Sequence, residues 1–219
     1  MEKYFQEERG ITDITLIVED KEIHTVKAIL MSASPVFKAM FTLDFKEKTA
    51  QKIPLPEKKY KDFVLFLLRI FPKEYIELNE EKIKRILPLA REYETTQILK
   101  DCEAWMISRL SVKKSTEDAF QNSRNFRDIS YLLEWLTIAH DYDFEKLFEN
   151  LLDVISDYNW QTLKKCYTYE HISPEIKTEI LEKRLSIVEM SVRNAPKCSC
   201  EYKNPGSSAL SKLKEELWL

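Results

Sequence analysis

Residues 23–47, IHTVKAILMSASPVFKAMFTLDFKE, constrain the fold of this chain more than any other stretch. Val26, Ile29 and Leu30, then Val36, Phe37, Met40 and Phe41, recur at i, i+3, i+4 spacing, which predicts two short amphipathic helices interrupted at Ser32-Ala33-Ser34-Pro35. Ser34 offers an acceptor to the orphan N–H groups of the second helix. Pro35 takes the first helical position, where a missing N–H costs nothing. Helices of two turns do not persist alone in water, so this pair needs a sheet on one side and further helices on the other.

Both are predicted in the flanks. Ile14, Leu16 and Val18 alternate with Thr15, Ile17 and Glu19 as a strand does. Asp20-Lys21 reads as a polar reversal, and Glu22-Ile23-His24-Thr25 as the returning strand of a hairpin. A polar connection over 42–51 leads to a brief strand, Lys52-Ile53-Pro54-Leu55, which Pro54 and Pro56 confine to an edge. Residues 59–71 predict a helix buried nearly all round: Tyr60, Phe63, Val64, Leu67, Leu68 and Phe71 form one face, and Leu65, Phe66 and Ile70 widen it. Asn79 followed by Glu80 and Glu81 opens the next helix, with acids at the positive end of its dipole. That helix closes near Tyr93. Thr95 or Thr96 is expected to cap another, carrying Ile98, Leu99, Cys102, Trp105 and Met106.

A polar stretch over 111–127 is the candidate boundary, and beyond it the sequence repeats itself. Leu136-Thr137-Ile138-Ala139-His140-Asp141-Tyr142-Asp143 aligns without a gap on Leu87-Pro88-Leu89-Ala90-Arg91-Glu92-Tyr93-Glu94. The correspondence continues from Ile98 to Leu147 and from Cys102 to Leu151, so the second half restarts with a helical hairpin of the same kind. Ser173-Pro174-Glu175 opens a further helix with Ile176, Ile180, Leu181, Leu185 and Val188. Residues 194–208 are a linker by composition. Residues 209–219 form an amphipathic segment, with Leu210, Leu213, Leu217 and Trp218 on one side, that is expected to dock on the body.

Composition removes several classes of function. Only Gly10 and Gly206 exist, so no glycine-rich phosphate loop can be built. A net charge of −3 leaves no field to hold nucleic acid. No window approaches a membrane span, and the N-terminus has no apolar core of a secretory signal, so an intracellular protein, cytoplasmic or nuclear, is expected. The four cysteines then read as reduced thiols. His24, His140 and His171 have no ligand partner at helical spacing. Cys198-Ser199-Cys200 has no second thiol pair to complete a zinc site, and Cys102 and Cys166 sit on apolar helical faces. The expectation is a non-enzyme without metal or cofactor.

Asp13-Ile14-Thr15-Leu16-Ile17-Val18, Lys27-Ala28-Ile29-Leu30, Ser34-Pro35-Val36-Phe37 with Met40-Phe41, residues 66–72 and residues 87–93 together resemble the BTB (POZ) domain family in consistent register. The resemblance implies an α+β fold, a small sheet clad by helices. It also implies a charged pocket at Asp13 and Lys27, with Val26 standing where the family usually has histidine. Self-association is implied too, usually as a homodimer, with Tyr4, Phe5 and Ile29 as interface candidates. In BTB adaptors of a cullin ubiquitin-ligase scaffold (the third cullin), an apolar-x-Glu triplet recruits the cullin at the place where this chain has Phe45-Lys46-Glu47. The helical part resembles the BACK-type region that follows many BTB domains.

The expected organisation is an N-terminal arm (1–10), a BTB domain (11–110), an all-α helical-hairpin extension (111–192), and a linker and tail (193–219). The expected function is an adaptor that self-associates and brings an unknown protein substrate to a cullin-RING ligase, with neither nucleic acid nor membrane as partner. The alternative is a BTB scaffold for transcriptional or cytoskeletal assembly without a ligase.

Overall fold

The computed structural model describes residues 5–6, 10–43, 49–71, 76–115 and 126–194. Strands β1 (Ile14–Val18), β2 (Lys21–Thr25) and β3 (Lys52–Pro54) form one sheet in the order β2-β1-β3. β2 is antiparallel to β1, with Leu16 opposite Ile23, and β3 is parallel to it, with Ile53 opposite Leu16. A parallel neighbour requires a crossover. Helices α1 (Lys27–Ala33) and α2 (Pro35–Thr42) lie in that connection. Ile14, Leu16, Val18, Ile23 and Ile53 are all buried, so the alternation in the sequence is a true burial pattern. The hairpin reverses one residue earlier than the sequence suggests. Glu19 and Asp20 have φ of 49° and 60°, the pair of positive values that a tight primed turn demands, and Lys21 therefore joins β2.

The helix starts explain why β1 is flanked by acids. Val26 precedes α1 and Lys59 precedes α3 (Tyr60–Ile70), and neither side chain caps its helix. The Lys27 N–H instead donates to Asp13 Oδ1 at 2.7 Å, and the Tyr60 N–H donates to Glu19 Oε2 at 3.0 Å. Two carboxylates at opposite ends of one strand thus satisfy orphan donors and meet the positive ends of two helix dipoles. α2 is capped locally, as the sequence predicts: the Phe37 N–H donates to Ser34 Oγ at 3.1 Å, with Pro35 in the first turn. The buried Ser34 hydroxyl then donates to the Tyr93 carbonyl at 2.5 Å.

All six residues from Phe63 to Leu68 in α3 are buried, the consequence of a helix with apolar residues on every side. α4 (Glu80–Glu92) starts at Asn79, whose side chain accepts from the Lys82 N–H at 2.9 Å. α5 (Thr96–Ser115) starts after Thr95, which holds the N-cap position expected and whose carbonyl accepts from the Leu99 N–H at 3.2 Å, and the end of α4 adds a second device. Glu94 has φ 51°, its N–H donates to the Arg91 carbonyl at 3.1 Å, and the Thr95 N–H donates to the Ala90 carbonyl at 2.9 Å. This is the paired bonding of a left-handed C-terminal turn. The Thr95 hydroxyl also turns back to the Ala90 carbonyl, at 3.2 Å.

Among its described residues the second half contains α6 (Phe126–Asp141), α7 (Glu145–Ser156), α8 (Trp160–Lys164), α9 (Tyr167–His171) and α10 (Pro174–Asn194). The repeat seen in the sequence extends to backbone geometry. Asp143 has φ 57°, and the Asp143 and Phe144 N–H groups donate to the His140 and Ala139 carbonyls, each 49 positions after its counterpart. The two corners also touch: Arg91 donates to the Asp141 carbonyl, sits 3.5 Å from the Asp143 carboxylate and lies over the Tyr142 ring at 5.5 Å. Trp135 is buried against Tyr131 (4.6 Å) and Trp105 (6.2 Å), and its indole N–H donates to Glu80 at 3.2 Å. Among the described residues no helix is long and apolar enough to cross a membrane.

Burial also fixes the ionisation of the core. It pushes the Cys102 thiol up to about 12 and raises the phenols of Tyr93 and Tyr131. The folded state holds the neutral thiol. Its contribution to stability is therefore complete below pH 9.0, the ordinary thiol value, and is lost as pH rises towards and through 12.

Three outcomes are expected. In urea unfolding, Ser34→Ala lowers stability by about 2 kcal/mol and Asp13→Ala or Glu19→Ala by about 1 kcal/mol each, since the first also leaves a buried bond unmade. Glu94→Gly acts in the opposite sense, raising stability by up to about 1 kcal/mol, because glycine relieves the left-handed conformation. Alkylation of Cys102 by iodoacetamide at pH 9, followed by peptide mapping, stays negligible until denaturant is added; modification at the unfolded rate in native protein would contradict the burial.

Candidate functional site

Without glycine loops or clustered ligands in the sequence, surfaces that meet other proteins are the features to locate. The first lies at the end of α2. Phe41 is buried at the last turn, parallel to Phe37 at 6.0 Å, and the Lys27 ammonium lies over its ring at 5.6 Å. The Asp13 carboxylate accepts from the Lys27 backbone N–H, so the contact between these two residues is a helix cap, and the lysine charge is spent on the Phe41 face. His24, two places before Val26, has Nδ1 3.0 Å from Thr15 Oγ1 across the β1–β2 ladder. Leu43, directly after α2, is 53% exposed. Phe45 and Glu47 follow it in sequence and lie outside the described residues.

The second surface involves the N-terminal arm. Tyr4 lies outside the described residues. Phe5 is buried within its own chain: its ring meets Phe71 edge-on at 5.2 Å, and its carbonyl accepts from the His24 N–H at 2.9 Å. Phe5 therefore lies against the outer edge of β2. Ile29 is half-buried on α1. Ile11 is 76% exposed, and the sequence reading passed over it. Its only signal is a single large apolar residue between Gly10 and Thr12, ahead of the strand.

A cleft of about 650 Å³ opens between the α1–α2 junction and the α4–α5 corner, lined by Ser34, Pro35, Lys38, Arg69, Thr96 and Asp101 among others. Several of its polar groups are committed to bonds within the fold. Arg69 pairs with Asp101 and donates to the Ile76 carbonyl at 3.2 Å, Gln97 donates to Asp101 at 2.8 Å, and Ser34 is held by the bonds described above. Among the described residues, the hydroxyls of Ser32, Ser34 and Thr95 in the cleft donate to backbone carbonyls. Among the described residues no three His, Cys, Asp or Glu side chains converge as metal ligands do. Cys102 and Cys166 are both buried, the latter with Sγ 3.2 Å from Ser130 Oγ. Cys198 and Cys200 and the amphipathic residues 209–219 lie outside the described residues.

The profile of the BTB/POZ domain matches residues 1–110. Among curated proteins, the chain is 27% identical to BTB and MATH domain-containing protein 36 of Caenorhabditis elegans over 107 residues, 49% of this chain and 33% of that protein. It is 26% identical to BTB and MATH domain-containing protein 38 of the same organism over 180 residues, 82% of this chain and 42% of the relative. Kelch-like protein 15 of Gallus gallus is 26% identical over 176 residues, 78% of this chain and 35% of the relative. The chain spans between a third and about two-fifths of the length of these relatives. With a three-stranded mixed sheet clad, among the described residues, by five helices up to residue 115, and a helical region after it, the chain belongs to the BTB/POZ domain family.

Proposed function

We propose that this chain is a self-associating adaptor, binding a cullin scaffold through its BTB domain and a protein substrate through its helical region. The observation that carries this reading is the BTB match over residues 1–110 together with the position of Phe45-Lys46-Glu47. The triplet directly follows α2, where Leu43 already stands exposed. An apolar anchor entering a pocket, with a carboxylate two residues on taking a charge-assisted hydrogen bond at its rim, is a compact way to hold a partner helix. The names of the relatives, BTB-MATH and Kelch-like proteins, support an interaction role of this kind.

Self-association rests on the arm. Ile11, exposed ahead of β1, and Ile29, half-buried on α1, are the described apolar residues offered to it, with Tyr4 added from the sequence. A dimer presents two linked binding sites, which raises avidity without any new contact. We assign residues 11–110 to the BTB domain and 111–192 to the helical extension. α5, which continues to Ser115, is common to both, so the extension is carried on the BTB core by a shared helix.

The test is a binding titration of the purified chain against the N-terminal domain of the third cullin, with Phe45→Ala and Glu47→Ala in parallel. Wild type is expected to bind at micromolar affinity or tighter, and each variant to lose at least about tenfold, equivalent to about 1.4 kcal/mol. A folded wild type that fails to bind, or variants that bind as well as wild type, would overturn the cullin assignment. The BTB scaffold without a ligase would then be the remaining reading.

A further inference from the structure

α10 carries two apolar faces, and the body of the protein uses one. Ile176 and Ile180 are buried, Lys183 pairs with Asp153 at 2.6 Å, and Arg184 donates to the Ser156 and Tyr158 carbonyls at 2.8 and 2.7 Å. At about 100° per residue these four positions fall within one sector of about 100°. Leu181, Leu185, Val188 and Val192 fall in another sector, about 60° wide, and are 46%, 49%, 51% and 39% exposed. Their spacing of four, three and four residues is that of a coiled-coil seam. A surface helix needs one apolar stripe to reach its core; a second at seam spacing calls for a second helix.

We propose that residues 209–219 of this same chain cover the stripe, folding back on α10 as an antiparallel helix. Leu210, Leu213 and Leu217 repeat the seam spacing. In the antiparallel direction one register seats all three at once, Leu210 on Val192, Leu213 on Val188 and Leu217 on Leu185. A flanking charge pair agrees with that register. Lys214, next to Leu213, meets Glu189, next to Val188, while Arg184 stays on the body face. A parallel arrangement would instead require the linker to run the whole length of the stripe. Residues 195–208 include Pro196, Pro205-Gly206 and several serines, and a linker of that length reaches roughly 20 Å root-mean-square. That exceeds the interaxial distance of about 8–10 Å between packed helices. The linker therefore permits the reversal without strain.

Photocrosslinking in the full chain tests this. Benzoylphenylalanine is placed at position 213 in an equimolar mixture of ¹⁴N- and ¹⁵N-labelled protein, and the crosslinked peptides are mapped by mass spectrometry. The expected product joins position 213 to the 181–192 region within a single isotopic species. Its yield is expected to fall at least tenfold when Leu185→Asp and Val188→Asp are combined, substitutions at exposed positions that leave the fold intact by circular dichroism. Mixed-isotope products would assign the stripe to a second copy of the chain. Crosslinks elsewhere on the body, or none to α10, would show that the tail does not cover it; each of these results overturns the proposal.

Discussion

The hydroxyl of Ser34 is the contact on which the arrangement of the BTB domain depends. It accepts from Phe37, starting α2, and donates to the Tyr93 carbonyl, 59 residues away at the end of α4. The same two partners are clamped by their rings, since Tyr93 stacks on Phe37 at 4.4 Å and meets Phe63 and Phe66 of α3 at 5.8 and 5.5 Å. One small polar group thereby sets the distance between the helix pair, the buried central helix and the first corner. A serine is required because the site is buried and supplies both a donor and an acceptor. From this corner the order passes to the second half through Arg91, which reaches Tyr142 and Asp143, and through Trp105 against Trp135. The Arg91 contacts are exposed and worth little alone. The buried indole, bonded to Glu80, is the firmer attachment.

Helix ends are served by distant acids as a general device in this chain. Asp13 caps α1, Glu19 caps α3, and Glu103 of α5 accepts from the Leu147 N–H of α7 at 3.4 Å. A cap supplied from another element fixes the position of a helix as well as satisfying its first turn. The consequence is a frame in which β1 is tied to the starts of α1 and α3, and at whose edges Ile11 and Leu43 remain exposed. Those edges are where the proposed self-association and cullin contacts lie.

Much of this was legible in the residues. The alternation of Ile14, Leu16 and Val18, the Ser34-Pro35 start, the Asn79 cap and the burial of 63–68 are local signals, and local physics decides them. The repeat between 87–94 and 136–143 predicted a second hairpin, and the bonding of the two corners agrees donor for donor. What escaped was long-range or glycine-free. The turn at Glu19-Asp20 and the left-handed Glu94 and Asp143 use acidic residues where glycine is the usual signal, so the reversal was misplaced by one residue and the left-handed ends of the two corners went unseen. Caps supplied across the fold by Asp13 and Glu19 leave no mark at the helix they serve. The burial of Phe5 depends on Phe71, a contact that no pattern in the arm discloses.

An adaptor that works by linking two binding sites must first exist as two copies. Sedimentation equilibrium of the purified full chain at micromolar concentration measures this directly. The account predicts a species of twice the chain mass of 26.1 kDa, converted towards monomer when Ile11 and Ile29 are both changed to Asp. A folded wild type that sediments as a 26.1 kDa monomer throughout that range would contradict it.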